Sequence, residues 1–229
     1  IYRPFRPKRQ TRATIAVSKG LTPLADIILN QKEKTGDVLV IASSFISEEK
    51  GVKTSEEALQ GALDIIAEKI SDDAEIRKNL REFLFKSSFI VTTLKPNEKV
   101  NTYLMYDNYK EQVCKMPSHR ILAINRGEKE DCIKVNLECN EEKCIEIIKK
   151  NFKIKESIFK EVLNNTVVDS FERLILPSLE RDIRNQMFDS ASEQAIKMFE
   201  VNLKPLLMQP PLKHNVILGL DPAYRTGCK

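Results

Sequence analysis

At 229 residues, with 41% hydrophobic and 31% charged side chains, the chain has the composition of a globular protein, long enough for one large domain or two small ones. No apolar run approaches the roughly 18 residues of a membrane span. The basic opening is followed by no apolar stretch of the kind a secretion signal needs, so a cytoplasmic protein with no membrane partner is expected. Five cysteines, an odd number, argue against a disulfide framework. Cys132, Cys139 and Cys144 lack the short paired spacing of structural zinc, and the only histidines are His119 and His214, so neither metal nor cofactor is expected.

The net charge of +4 is mild but unevenly spread. Residues 1–36 hold eight Lys/Arg against two Asp/Glu, which leaves the remainder slightly acidic. Arg3, Arg6, Lys8, Arg9 and Arg12 stand together without a carboxylate among them, a cluster able to neutralise phosphates. An extended linker lying over an acidic face of its own protein accounts for the same residues equally well. Pro4 and Pro7 deny the stretch a helix, so residues 1–12 read as an extended arm.

In chain order, residues 13–32 show helical periodicity through Ile15, Leu24, Ile27 and Ile28, interrupted near residues 20–23, which predicts two short helices. Thr54-Ser55-Glu56-Glu57 has the form of a capping box, a hydroxyl at the cap and a carboxylate three residues on. The helix it opens sets Leu59, Ala62, Leu63, Ile66 and Ile70 on one face. Ser71-Asp72-Asp73 caps a second helix, which buries Ile76, Leu80, Phe83 and Leu84. Together these two form a helix-turn-helix candidate at about residues 54–87. Arg77, Lys78, Arg81 and Lys86 fall on the outer side of the second helix, where groove binding would need them. The solvated face of an ordinary helical hairpin is the commoner reason for such residues.

Residues 95–101 read as a polar loop. Tyr103, Tyr106 and Tyr109 follow at three-residue spacing, a stripe more often core or interface than a base-stacking platform. Pro117-Ser118 starts a helix through Asn125, with Gly127 as its left-handed stop. At about residues 132–138, Ile133, Val135 and Leu137 alternate with Lys134, Asn136 and Glu138, which predicts a strand whose partner is not named by the sequence. The most regular helix covers about residues 178–207, where Leu179, Ile183, Met187, Ala191, Ala195, Phe199 and Leu203 repeat every four positions. Glu180–Arg184, Glu193–Lys197 and Glu200–Lys204 are spaced for ion pairs along it. Such a helix spans about 45 Å and suits a strut between domains. Pro205, Pro210 and Pro211 are expected to end it. Residues 215–222 read as a buried central strand ending on Asp221-Pro222, and its place at the end of the chain reads as a protein cut short.

The expected fold class is mainly α: a multi-helix region with a helix-turn-helix element, a long connecting helix and few short strands. Its divisions are an arm (1–12), a helical domain (13–112), a second helical domain (113–212) and the start of a further domain (213–229).

Three long blocks of unusual composition occur in order. They are Tyr2-Arg3-Pro4-Phe5-Arg6-Pro7-Lys8-Arg9-Gln10-Thr11-Arg12-Ala13, then Pro117-Ser118-His119-Arg120-Ile121-Leu122-Ala123-Ile124-Asn125-Arg126-Gly127, then Gln209-Pro210-Pro211-Leu212 leading to Gly219-Leu220-Asp221-Pro222-Ala223-Tyr224-Arg225-Thr226-Gly227-Cys228-Lys229. In this order they resemble the Tex family of bacterial transcription accessory proteins. The resemblance implies a longer parent, in which a helical region with a helix-turn-helix precedes a YqgF, or RNase H-like, domain, helix-hairpin-helix modules and an oligonucleotide-binding barrel. It implies that residues 213–229 are the truncated first strand of that RNase H-like domain, and that the parent binds nucleic acid and influences transcription.

The resemblance also sets Asp221 where RNase H-like nucleases hold a first metal-binding carboxylate. Two-metal cleavage needs several converging carboxylates, so one aspartate is at most a vestige. Ser118-His119 has no third member at any informative spacing, and residues 219–227 lack a phosphate-loop pattern. No catalytic residue is expected. The leading expectation is a non-catalytic scaffold that binds RNA or DNA with little sequence preference. Arg3, Arg6, Lys8, Arg9 and Arg12 are its expected phosphate contacts, helped by Arg77, Lys78 and Arg81. The alternative is a protein-interaction scaffold that docks the parent's other domains or RNA polymerase. A nuclease of the full-length parent ranks third.

Overall fold

Local capping chemistry sets where most of the helices begin. The computed structural model of the chain describes residues 10–96, 100–210 and 213–220. Helix α1 (Arg12–Ser18) starts at a reciprocal box in which Thr11 Oγ1 accepts from the Thr14 amide at 3.1 Å and Thr14 Oγ1 accepts from the Thr11 amide at 2.8 Å. Gly20, at φ +80°, turns the chain into α2 (Thr22–Asn30), which has Pro23 in its first turn. The two short helices expected over residues 13–32 are these. Asp37 caps α3 (Val38–Ser43).

Thr54 caps α4 (Ser55–Asp72) by accepting from the Glu57 amide at 3.1 Å. The Glu57 carboxylate then accepts from the Lys53 amide at 2.9 Å, one residue ahead of the cap, so the box closes on a neighbouring donor. Asp73 Oδ1 accepts from the Glu75 and Ile76 amides, both at 2.9 Å, and opens α5 (Ala74–Ser87).

A three-stranded antiparallel sheet follows, with β1 (Phe89–Leu94) between β2 (Tyr109–Gln112) and β3 (Ile133–Glu138). Ile90 lies opposite Glu111 on one side and Leu137 on the other, so β1 is the partner that the predicted strand needed. The alternation along β3 is as expected, with Ile133, Val135 and Leu137 buried and the residues between them exposed. Tyr103 and Tyr106 are buried in a 3-10 turn (Val100–Tyr106). Three residues per turn put that spacing on one side, which explains the tyrosine stripe as core.

Helix α6 (Ser118–Lys129) runs past Gly127, which is therefore not its stop. The glycine is there for packing: an added Cβ would sit 2.5 Å from Ile133 Cδ1 and 3.0 Å from Tyr103 Cδ1. Asp131, at φ +56°, makes the left-handed turn instead. Asn140 caps α7 (Glu141–Phe152), accepting from the Lys143 amide at 3.0 Å.

The last helical stretch is longer than its periodicity suggested. Helix α8 (Lys160–Asp169) passes through a widened turn (Ser170–Ile175) into α9 (Leu176–Leu207) with helical backbone at both junctions. Pro177 is the physical reason, because its ring has no amide to give and crowds the carbonyl four residues back, and a π-type turn relieves both. Pro205 lies inside the helix, in its last turn, and does not end it. Arg184 pairs with Glu128 on α6 instead of Glu180, and no ion pair joins Glu193 to Lys197 or Glu200 to Lys204.

Helix α4 is the hub of the packing. Ala58, Ala62, Ile65, Ile66, Ala67 and Ile70 are buried, and α1, α2, α3, α8 and the widened turn all contact it. One buried face was expected; the small residues let neighbours close on the others. At Gly61 an added Cβ would fall 2.4 Å from Leu21 Cδ1. A polar lock fastens the long helix to this hub: Arg173 donates to Asp64 at 3.0 Å and to Asp169 at 2.5 Å, and Ser170 Oγ donates to the Ala67 carbonyl at 2.7 Å.

Two expectations for the C-terminal region are corrected. The four-residue stripe of α9 is buried at Leu179, Ile183, Met187 and Ala191 but continues exposed at Phe199. Residues 215–220 form no strand, and Val216, Ile217, Leu218 and Leu220 are exposed; among the described residues no strand pairs with them. No helix among the described residues is long and apolar enough to cross a membrane.

Candidate nucleic-acid interface

The proposed phosphate contacts fall into three places. Arg3, Arg6, Lys8 and Arg9 lie outside the described residues, as does Asp221. Arg12 is described: it is exposed at the first position of α1, where the Thr11 cap fixes the direction in which the chain enters the fold. Its surroundings are acidic. Glu57 and Asp64 share a shallow cleft with it, and the Thr11 hydroxyl is 3.4 Å from the Glu68 carboxylate. The Asp169 carboxyl is held below its usual range chiefly by the Arg173 guanidinium, against the opposing effect of burial, with Arg12 adding a smaller attraction. The root of the arm is thus seated beside carboxylates.

Helix α5 divides its basic residues. Arg77 is half-buried, donating to Ser178 Oγ at 2.7 Å and to the Ser71 carbonyl at 3.2 Å, with Asp182 at 3.5 Å. Arg81 donates to Gln186 at 3.0 Å. Both guanidiniums reach across to α9 or its first turn, so a groove-facing role would require them to release it. Lys78 and Lys86 are exposed and face solvent. α5 also packs against α4, α7 and the turn Val113–Lys115, which leaves it little free surface.

A second basic surface was not anticipated. Gln31 Oε1 accepts from the Lys155 amide at 2.6 Å, and the Glu33 carbonyl accepts from the Ile158 amide at 3.2 Å. These bonds bring Lys32 and Lys34 beside Lys153 and Lys155, all four exposed and without an ion pair among the described residues. Gln31 and Lys153 both adopt left-handed backbone to make the two turns meet. The Lys149-Lys150…Lys153…Lys155 run was visible in the sequence, but its meeting with residues 31–34 was not. Lys149 and Lys150 also have a structural use, since cations in a last helical turn offset the helix dipole.

The second sequence block proves to be mostly the α6 packing surface. Ser118 hydrogen-bonds Gln194, Arg120 donates to Glu111 at 2.8 Å and to the Tyr109 hydroxyl at 3.0 Å, and Glu128 meets Arg184. An open groove between α6 and α9 is lined by both signs of charge, with the Lys129 ammonium 5.3 Å from the centroid of the Phe188 ring. No group of His, Cys, Asp and Glu among the described residues could hold a metal ion.

Hub, sheet and long helix together define a helical scaffold with basic elements displayed at its edges. Residues 33–199 match the family described as Tex central region-like, and the chain belongs to the Tex family. It is 45% identical to the protein YdcI of Bacillus subtilis across its whole length, and 34% identical to the transcriptional accessory protein Tex of Neisseria gonorrhoeae. Over 96% of the chain it is 33% identical to the human S1 RNA-binding domain-containing protein 1. The chain spans about a third of the length of the bacterial relatives, 32% and 31% respectively, and 23% of the human protein.

Proposed function

We propose that this chain is the nucleic-acid-binding scaffold region of a Tex-type transcription accessory protein in the cytoplasm, and that it works without catalysis or cofactor. The observation that carries the reading is the run Arg3, Arg6, Lys8, Arg9 and Arg12, five cations without an intervening carboxylate, leading directly into a capped helix. A polyanion with evenly spaced charges is the ligand such a run matches, through counterion release at each neutralised phosphate. Lys32, Lys34, Lys153 and Lys155 offer a second set of contacts of the same chemistry, and Lys78 an isolated one. Arg77 and Arg81 serve mainly to hold α5 to α9. Contacts of this kind position a strand without reading its bases, so little preference among sequences is expected. The names of two relatives, a transcriptional accessory protein and an S1 RNA-binding domain-containing protein, point the same way.

A second reading rests on a separate observation. Ile196, Met198, Phe199, Val201, Leu206 and Leu207 are each at least 63% exposed on the far half of α9, more apolar surface than a solvated strut requires. It favours a protein-interaction scaffold that docks RNA polymerase or further domains of the parent. Titration of the chain on RNA and duplex DNA, beside capture of purified RNA polymerase, separates the two. Binding to polymerase with none to either nucleic acid selects the second reading.

A further inference from the structure

The corner between β3 and α7 holds two thiols on either side of one helix cap. Cys139 is the residue before the Asn140 cap, and Cys144 is the fourth residue of α7. Those are the two positions whose side chains meet across a helix N-terminus as a hydrophobic staple, and here both are sulfur. The Cys144 side chain is wholly buried in the core, and the half-buried Cys139 packs against that same core. We propose that Cys139 and Cys144 form a peroxide-oxidisable dithiol, with Cys139 the attacking sulfur and Cys144 the resolving one.

Exposure assigns these roles, since peroxide reaches the half-buried Cys139 before the buried Cys144, and the polarity of the pair agrees. Donation of the Cys144 proton toward Cys139 holds the Cys139 thiol below its ordinary value, against burial and the carboxylates of Glu141, Glu180 and Glu138. The same hydrogen bond, with burial, pushes the Cys144 thiol up. The position of Cys139 at the start of a 12-residue helix adds the positive end of its dipole. The Cys139 thiolate attacks one oxygen of the hydroperoxide, the O–O bond breaks, and the departing hydroxide takes a proton to leave as water. This gives a sulfenic acid. The Cys144 sulfur then attacks Cys139 Sγ, the S–O bond breaks, and the Cys144 proton leaves with the hydroxyl as a second water. The sulfurs lose two electrons and the peroxide gains them. A dithiol reductant reverses the step by exchange.

Cys114 supplies the internal comparison, because it is exposed and its thiol donates to the Lys86 carbonyl at 3.7 Å, not to a second thiol. The test is hydrogen peroxide treatment of the intact chain, alkylation, and peptide mapping by mass spectrometry without and with reductant. The expected product is a linked pair of peptides carrying Cys139 and Cys144, about 2 Da lighter than their reduced sum and released by dithiothreitol. Cys114 should yield alkylated or singly oxidised peptide. In Cys144→Ser, Cys139 should stop at a sulfenic acid that dimedone traps, with helical circular dichroism unchanged. Recovery of Cys139 as freely alkylated thiol, or as sulfinic acid beside a reduced Cys144, overturns the proposal, and the unmodified chain suffices to show either.

Discussion

Replacement of Gly127 by alanine tests whether close packing, and not a turn, is why glycine stands there. In an open helical position the change would stabilise by about 1 kcal/mol, because alanine is the better helix former. Here the new methyl would lie 2.5 Å from Ile133 Cδ1 and 3.0 Å from both Ile133 Cγ1 and Tyr103 Cδ1. Ile133 is fully buried on a strand paired to β1, and the Tyr103 ring is 5% exposed, so neither can move far. Overpacking of a filled core costs about 1–3 kcal/mol, which exceeds the propensity gain. A net loss of about 1 kcal/mol is expected, or about 2–4 °C in melting temperature for a chain of this size. Ile133→Val deletes the Cδ1 atom, so Gly127→Ala should cost far less in the valine background, with a coupling of about 1 kcal/mol between the two sites. Urea unfolding of the four proteins measures this. Stabilisation by Gly127→Ala alone, or strict additivity of the two changes, refutes the packing account.

Other outcomes follow from the polar contacts. Asp64→Ala strips Arg173 of a nearly buried partner and should cost about 2 kcal/mol in urea unfolding, less than a fully buried pair because Arg173 is part-exposed. Asp169 has its pKa lowered in the fold, so between its folded and unfolded values the folded chain binds fewer protons. Its contribution is therefore complete above about pH 4 and is lost as pH falls through the lower folded value. Asp169→Asn should flatten the acid side of a plot of melting temperature against pH while lowering the plateau. Arg77→Ala should lower stability by about 1 kcal/mol through its lost bonds to Ser178 and Ser71, and leave nucleic-acid affinity nearly unchanged. Lys78→Ala should leave stability unchanged, as for other exposed lysines without a partner.

The parts of the fold that were legible in the sequence are those decided by neighbours in the chain. The caps at Thr54 and Asp73, the break at Gly20 and the alternation from Ile133 to Leu137 all act within a few residues, and each produced the element it signalled. Strand β1 was missed although Phe89-Ile90-Val91-Thr92 is rich in β-formers, because it begins one residue after the Ser88 that closes α5, leaving no turn signal between them. Pro205 was read as a boundary, yet it sits inside the last turn of α9, where the Val201 carbonyl it leaves unpaired is on an exposed surface open to water. Gly127 was read by its conformational freedom when its small size was the point.

The candidate interface was legible only as a charge run. Which cations remain available depends on long-range partners: Arg77 and Arg81 meet residues about a hundred positions away, and Lys155 meets Gln31 across a separation of 124. No local pattern encodes those meetings. The arm is the exception, since its charge needs no fold to be read.

Its role is most directly measured by the salt dependence of binding. Fluorescence anisotropy on single-stranded RNA and duplex DNA should give log–log slopes of about −3.5 and −4.5 if five phosphates are neutralised. With Arg3, Arg6, Lys8, Arg9 and Arg12 changed to glutamine, the slopes should fall toward the shallow values left by the lysine surface. Unchanged affinity and slope in that variant would contradict the assignment of the arm as the phosphate-binding element.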